Sequence, residues 1–465
     1  CALAEQALMA YEAREACTLD DAEAHAAAHA AFAHARPALL RPLLAIGRAD
    51  RAFALAEHHR DFHTLVELCF ADAHEEKEDA KRIKLMQAPP PAAVVRVEAY
   101  LDTYGMDFAN ELYQHYIRHG ALRRLMEPQP QHAALVSAFL DAHPQYGRLA
   151  WVHDTALGAY DHARHTLRST ADAERLDVEA KQRMLSLGKL MHLATLPRMD
   201  DALVPAQQAA LEAWDDALDL GHIQHRLHQR WSDAAWIDAQ TPPEAQAEAI
   251  ASAVAPLLSE RPALRMLFVS LARDVMAGLV VGGEDMMDLL TLTDRSFAAP
   301  PEAPLTDLAI AAQVFVRLDT PTPARREAAL ASLWRRLFLM DDWEALSDTT
   351  SMTDDQVLHN VQGTVAFHTL QSVLADASTA STLMAPESVC ALPPPSVSLL
   401  AERLQGLPDA HIEAIHAALQ DEHEALVHIV RHTKLSAYFA HILSVRDDIV
   451  AEDEALMPGA SDMVL

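Results

Sequence analysis

From Thr322-Pro323 onward, Leu330, Leu333, Trp334, Leu337 and Phe338 recur at i, i+3, i+4, i+7 and i+8. That spacing lays one apolar stripe along a helix. Arg325, Arg326, Arg335 and Arg336 are set mostly away from the stripe. Thr241-Pro242-Pro243-Glu244 predicts another helix start, with Thr241 as cap, Pro242 in the first helical position and Glu244 completing a capping box. Strand-like alternation is not convincing anywhere. Proline clusters at 89–91, at Pro128 and Pro130, at 300–304, at Pro321 and Pro323, and at 393–395 break the helical pattern. Each removes an amide donor and clashes with the preceding turn, so they predict loops between helices. No fixed repeat of roughly 33–47 residues and no tetratricopeptide signature is present. The pattern predicts an irregular stack of helices, an architecture that buries a continuous core and presents a long surface.

Composition sharpens this picture. Glycine occurs 13 times in 465 residues, under half the usual share of about 7%. Tight β-turns and phosphate-cradling loops both need glycine, so the deficit argues against sheets and nucleotide sites. With 37 basic and 67 acidic residues the net charge is −30. Nucleic-acid phosphates and anionic membrane surfaces both call for surplus Lys and Arg, so neither is an expected partner. Hydrophobic residues make up 51%, which excludes wholesale disorder. The four cysteines, Cys1, Cys17, Cys69 and Cys390, are few and irregularly spaced, as suits a reducing compartment. The apolar stretch 266–282 is interrupted by Arg273 and Asp274, so it predicts no transmembrane helix. No signal peptide is visible; a chain opening on Cys1 inside a helical pattern is expected to be a fragment.

The candidate chemistry is thin. His423-Glu424 followed by His428 places two histidines five apart, about 140° round a helix, where a zinc-protease helix needs them four apart. His428 with His432 and His25 with His29 have the right spacing, and His222, His225 and His228 line a helix. These are expected to be solvated or half-buried faces. Gly188-Lys189 is followed by Leu190, not Ser or Thr, and Val280-Val281-Gly282-Gly283 lacks any phosphate-loop pattern. No nucleophile elbow is present. Acidic pairs such as Asp215-Asp216 and Asp354-Asp355 are expected by chance in so acidic a chain. The expectation is therefore no catalytic residue, no metal and no cofactor.

Three stretches then narrow the reading. They are 56–69 (Ala56 to Cys69), the set 104–120, 139–143 and 149–153, and the pair 163–167 and 184–194. In this order and at these separations they resemble the C-terminal helical half of the 133-kDa nucleoporin family, with weaker echoes as far as Tyr438-Phe439. The resemblance implies an all-α protein. An irregular, solenoid-like α-helical stack (1–145) would end in a compact C-terminal helical domain (146–465) that carries a partner surface. It further implies a non-enzymatic scaffold of the Y-shaped nuclear pore subcomplex, docked onto the C-terminal helical region of the 107-kDa nucleoporin beside other Y-complex subunits. The family's N-terminal propeller is not in this sequence, so no direct membrane contact is expected of it. The alternative is a vesicle-coat or membrane-tethering α-solenoid subunit.

The family's partner-facing helix maps to 176–194. At 100° per residue, Leu176, Ala180, Met184, Leu187, Met191 and Ala194 fall within a face of about 80°. Leu190 sits beside that face, Leu185 and Leu193 point elsewhere, and Arg183 and Lys181 would form a polar rim. A helix apolar on more than one side is either a core helix or is shared between its own core and a partner.

Overall fold

A computed structural model describes residues 2–18, 22–75, 91–127, 130–196, 204–235, 241–295, 305–318, 320, 322–347 and 353–444. No described residue lies in a strand, and no described helix is long and apolar enough to cross a membrane. The chain divides into two compact units, Cys1–Thr170 and Ala171–Leu465.

The first unit contains α1 (Ala2–Cys17), α2 (Ala22–Ala45), α3 (Ala49–His58), α4 (Phe62–Glu75), α5 (Pro91–Tyr104), α6 (Met106–Arg118), α7 (Leu122–Met126), α8 (Ala133–Ala142) and α9 (Gly147–Ala156). Each packs chiefly on near neighbours in sequence, α1 on α2, α3 on α4, α5 on α6 and α8 on α9. Their shared core is aromatic. Tyr100 and Phe108 approach to 5.3 Å between ring centres, Phe62 and Tyr104 to 5.1 Å, and Tyr113 and Phe139 to 5.4 Å edge-on. The division between units falls within α10 (Tyr160–Ala173), whereas the sequence places a boundary near 145. Pro144–Tyr146 there makes only a single 3₁₀ turn, which Phe139 bridges by stacking on Tyr146. Ala150 beyond the turn belongs to the same core.

The second unit contains α11 (Val178–Thr195), α12 (Pro205–Ala234), α13 (Pro243–Val254), α14 (Pro262–Met276), α15 (Gly283–Thr291), α16 (Asp307–Val316) and α17 (Pro323–Leu339). It continues through α18 (Trp343–Ser347), α19 (Asp354–Gln362), α20 (Val365–Ala375), α21 (Ala377–Ala380), α22 (Pro386–Ala391), α23 (Val397–Arg403) and α24 (Asp409–His432). Proline opens many of these helices: Pro205, Pro243, Pro262, Pro323 and Pro386 all sit in the first turn. There the missing N–H has no intrahelical partner to lose. At α13 the start lies one residue later than the sequence suggests. Pro242 is the cap residue and Pro243 the first helical one, while the Thr241 carbonyl accepts from Gln246 Nε2 at 2.7 Å. Of the proline loops, 393–395 is described and separates α22 from α23; Pro89, Pro90, Pro128, Pro300, Pro301, Pro304 and Pro321 lie outside the described residues.

α17 stands at the centre of this unit, packed on α15, α16, α20, α22 and α24. Thr322 caps it, accepting from the Arg325 N–H, and Leu333, Trp334, Leu337 and Phe338 are buried as their spacing predicts. The opposite face departs from the reading. Arg335 is 0% exposed and Arg336 5%, because the second half of the helix is enclosed, although its first turns keep exposed residues such as Ala324 and Glu327. Arg336 donates through Nη1 to Asp288 Oδ1 at 2.6 Å and to Thr291 Oγ1 at 2.8 Å. Its Nε reaches Glu422 Oε2 at 3.3 Å, and Arg335 Nη2 donates to the Leu392 carbonyl at 3.2 Å.

Candidate partner-binding surface

α11 begins where Asp177, extended at φ −145°, accepts the Ala180 N–H on its side chain at 2.9 Å. That cap fixes the first turn, and a short backbone pairing fixes the approach to it. Val178 N–H donates to the Gly278 carbonyl at 3.0 Å, and Val280 N–H to that of Arg175 at 3.1 Å. Gly278 makes this possible with φ +73° just beyond α14, a conformation that favours glycine. Gln224 of α12 clamps the same loop, its Nε2 donating to the Leu279 carbonyl and its Oε1 accepting from Val281 N–H at 3.1 Å. Val280 and Val281, the first half of the glycine-containing run 280–283, thus take part in anchoring the approach to α11.

The helix lies on α12. Gly188 is the contact point: a Cβ there would come within 2.4 Å of the Trp214 ring. Met184, Leu185 and His192 are buried along the same side, and Lys189 pairs with Asp215 at its margin. None of Met184, Leu185 and Trp214 belongs to the contiguous apolar cluster of the second unit, which begins at Ile223. α11 is therefore seated on the first half of α12, away from the main core.

The residues singled out from the sequence are spread across this helix from its buried edge to solvent. Met184 is buried; Ala180, Leu187 and Met191 are half-buried; Arg183 and Ala194 are exposed. Leu190 is 59% exposed, and Leu176, in the turn before the helix, is 77% exposed. Arg183 crosses back over the first turn, 3.1 Å from Glu179 and 3.7 Å from Asp177, so it stands at the rim of the apolar strip. Leu193, which the helical wheel sets apart, is 44% exposed and extends the strip next to Leu190. Only the position of α12 distinguishes it from Leu185, which the same wheel also sets apart and which is buried.

Other sequence candidates sit apart from this surface. His428 and His432 stack at 4.3 Å with the His432 ring nitrogen on the His428 carbonyl. His222 and His225 are exposed; burial and the neighbouring His225 hold His228 below its usual range. His25 bonds the Glu15 carbonyl, and the side chain of His29 lies outside the described residues. Among the described residues, Glu12, His58 and His59 of the first unit are brought within metal-binding distance of one another. They are 46 positions apart in the chain, beyond the reach of any spacing rule.

Comparison with known proteins decides the family. The model of the non-repetitive/WGA-negative nucleoporin C-terminal family matches residues 1–441. The chain belongs to that family. Nucleoporin nup132 of Schizosaccharomyces pombe is 25% identical over 357 residues, which cover 74% of this chain and 28% of its own. Nuclear pore complex protein Nup133 of Danio rerio is 31% identical over 166 residues, 35% of this chain and 13% of its own. Nucleoporin NUP133 of Chaetomium thermophilum is 24% identical over 293 residues, 62% of this chain and 21% of its own. This nucleoporin chain thus spans less than a third of the length of these relatives. Its place is the nuclear pore complex.

Proposed function

We propose that this nucleoporin chain is a non-enzymatic scaffold segment that docks onto the C-terminal helical region of the 107-kDa nucleoporin in the Y-shaped subcomplex. Its docking surface is α11 with the turn before it: Leu176, Ala180, Leu187, Leu190, Met191 and Ala194 make the contact, Arg183 stands at the rim, and Met184 supports it from beneath. The supporting observation is the seating of α11. A helix that packs chiefly on α12, with its buried Met184 and Leu185 outside the main apolar cluster, carries leucines 59% and 44% exposed at Leu190 and Leu193. Neighbouring large apolar side chains left in water on one helix are a mark of an interaction site. Burying a fully exposed leucine contributes about 1.5–3 kcal/mol, and Leu190 and Leu193, already about half covered, would each contribute roughly half of that.

The mechanism is geometric. Asp177, Gln224 and the pairing with 278–280 fix the helix axis, and Gly188 against Trp214 fixes its height, so a partner meets a preset strip. Size-exclusion chromatography with the C-terminal helices of the 107-kDa nucleoporin tests the partner. Co-elution at micromolar concentration is expected, and separate elution would remove this reading.

A further inference from the structure

We infer that Glu12, His58 and His59 form a zinc-binding site that clasps α1 to the turn between α3 and α4. Glu12 Oε1 already lies 2.6 Å from His59 Nδ1, and the His59 side chain is only 7% exposed. Its ring is held in place by Phe32, edge-on at 5.8 Å, so this ligand is oriented before any ion arrives. The His58 ring stands beside it at 5.0 Å, nearly perpendicular, and is exposed. One ligand atom from each residue lies within 4.8 Å of the other two. Zinc bonds of about 2.0–2.2 Å require ligand atoms roughly 3.3–3.5 Å apart. The exposed His58 ring would swing in, and the half-exposed Glu12 carboxylate would draw back from its 2.6 Å contact to admit the ion, while the buried His59 stays where it is.

The backbone favours a cation at the same place. His58 ends α3 and His59 is its C-cap residue, so carbonyl oxygens and the negative end of the helix dipole face this corner. The turn is tied down by Arg60 N–H on the Glu57 carbonyl at 3.1 Å and Asp61 N–H on that of Ala56 at 2.9 Å. Arg60 takes φ +48°, a left-handed conformation that favours glycine. Two imidazoles and one carboxylate form a donor set suited to zinc, with water completing the tetrahedron. Such an ion would replace a hydrogen bond between α1 and the α3–α4 turn by three coordinate bonds.

The test is calorimetric titration of the whole chain with zinc chloride, beside the variants His58→Ala and Glu12→Gln. Circular dichroism checks that each variant keeps its helices; His58 is exposed, so His58→Ala decides alone if Glu12→Gln unfolds. One equivalent of zinc binding at micromolar affinity, weakened on the order of tenfold or more by either variant, is expected. The first thermal transition should also rise on zinc addition in the parent and not in His58→Ala. Absence of binding up to about 100 μM, or binding that both folded variants retain unchanged, would overturn the site.

Discussion

The two units differ in how deeply the ion pairs that join their helices are enclosed. In the first, beside arginine pairs such as Arg51 with Glu5 at 2.6 Å, histidines pair with carboxylates: His59 with Glu12 at 2.6 Å, His63 with Glu111 at 3.1 Å, His132 with Asp102 at 2.9 Å and His162 with Asp154 at 2.8 Å. Each pair keeps at least one partner well in contact with water, such as Asp102 at 63% and His162 at 55%. In the second unit arginine–carboxylate pairs share members and centre on Arg336, Asp288 and Glu422, all buried. Arg336 joins Asp288 and Glu422, Arg261 reaches Glu422, and Arg403 bridges Asp285 and Asp288. A pair with a solvent-exposed member can be removed at small cost, because water takes up the charge left behind. A shared buried network cannot, because deleting one member strands another charge in the interior. The second unit, which carries α11, is thereby the more rigidly specified platform.

The largest test of that contrast is Glu422→Ala, which strips Arg336 and Arg261 of a partner only 2% exposed. It should cost about 3–5 kcal/mol in denaturant unfolding, followed by the tryptophan fluorescence that Trp231, Trp334 and Trp343 concentrate in this unit. A cost below about 1 kcal/mol, the range of an exposed pair, would erase the distinction. In the first unit, His132→Ala returns the Asp102 carboxylate to water and should cost about 1–2 kcal/mol, mainly a hydrogen bond and some packing. A loss as large as that of Glu422→Ala would show that these pairs too act as a network.

Acidity separates the units further. Burial pushes the Asp307 carboxyl up to about 6, against the opposing pull of Arg230 at 2.5 Å and of Thr293. Unfolded, it titrates near 3.8. As pH falls from 7 through 6, the folded state takes up a proton that the unfolded chain does not, so stability rises and levels off below 3.8. Between pH 7 and 5 the gain should be about 1 kcal/mol. Burial also holds Asp285 and Asp341 above the usual range, which adds with the same sign. Asp288 runs the other way. Burial works to raise it, but Arg403 and Arg336 together outweigh that and hold it low, so its contribution is lost only as pH falls below the normal carboxylate range. Unfolding midpoints at pH 7 and 5 should therefore shift less in Asp307→Asn than in the parent; an equal shift would remove Asp307 from the account.

The smallest effect is chemical. Burial pushes the Cys69 thiol up to about 12, while Cys17 is exposed. A thiol reagent at pH 8 should label Cys17 promptly and Cys69 only when the first unit opens, giving a probe of that unit alone. Prompt labelling of Cys69 would mean that the aromatic core is looser than its packing indicates.

Much of this architecture is legible in the sequence because it is periodic. The stripe 330–338, the Thr322 cap and the proline breaks are local signals, and local geometry satisfies them. What the sequence conceals is which polar face becomes enclosed. Arg335 and Arg336 look like solvent residues until α15, α22 and α24 close around them; the carboxylate partners of Arg336 lie 48 and 86 positions away, and the carbonyl that Arg335 reaches lies 57 away. The same reason hides Glu12 from His58 and His59. On α11 the wheel is apolar on several sides, so it groups buried Met184 with half-buried Leu187 and sets exposed Leu193 apart. Only the seat on Trp214 resolves that face.

The docking role of α11 is tested most directly by the affinity of Leu190→Arg for the C-terminal helices of the 107-kDa nucleoporin, measured beside Leu3→Arg. Leu3 is 82% exposed on α1 and lies outside the proposed surface. The account predicts that Leu190→Arg weakens binding by about 30-fold or more, the loss of a hot-spot contact. Leu3→Arg should leave affinity unchanged, and both proteins should stay helical. Equal affinity for the two folded variants would contradict it.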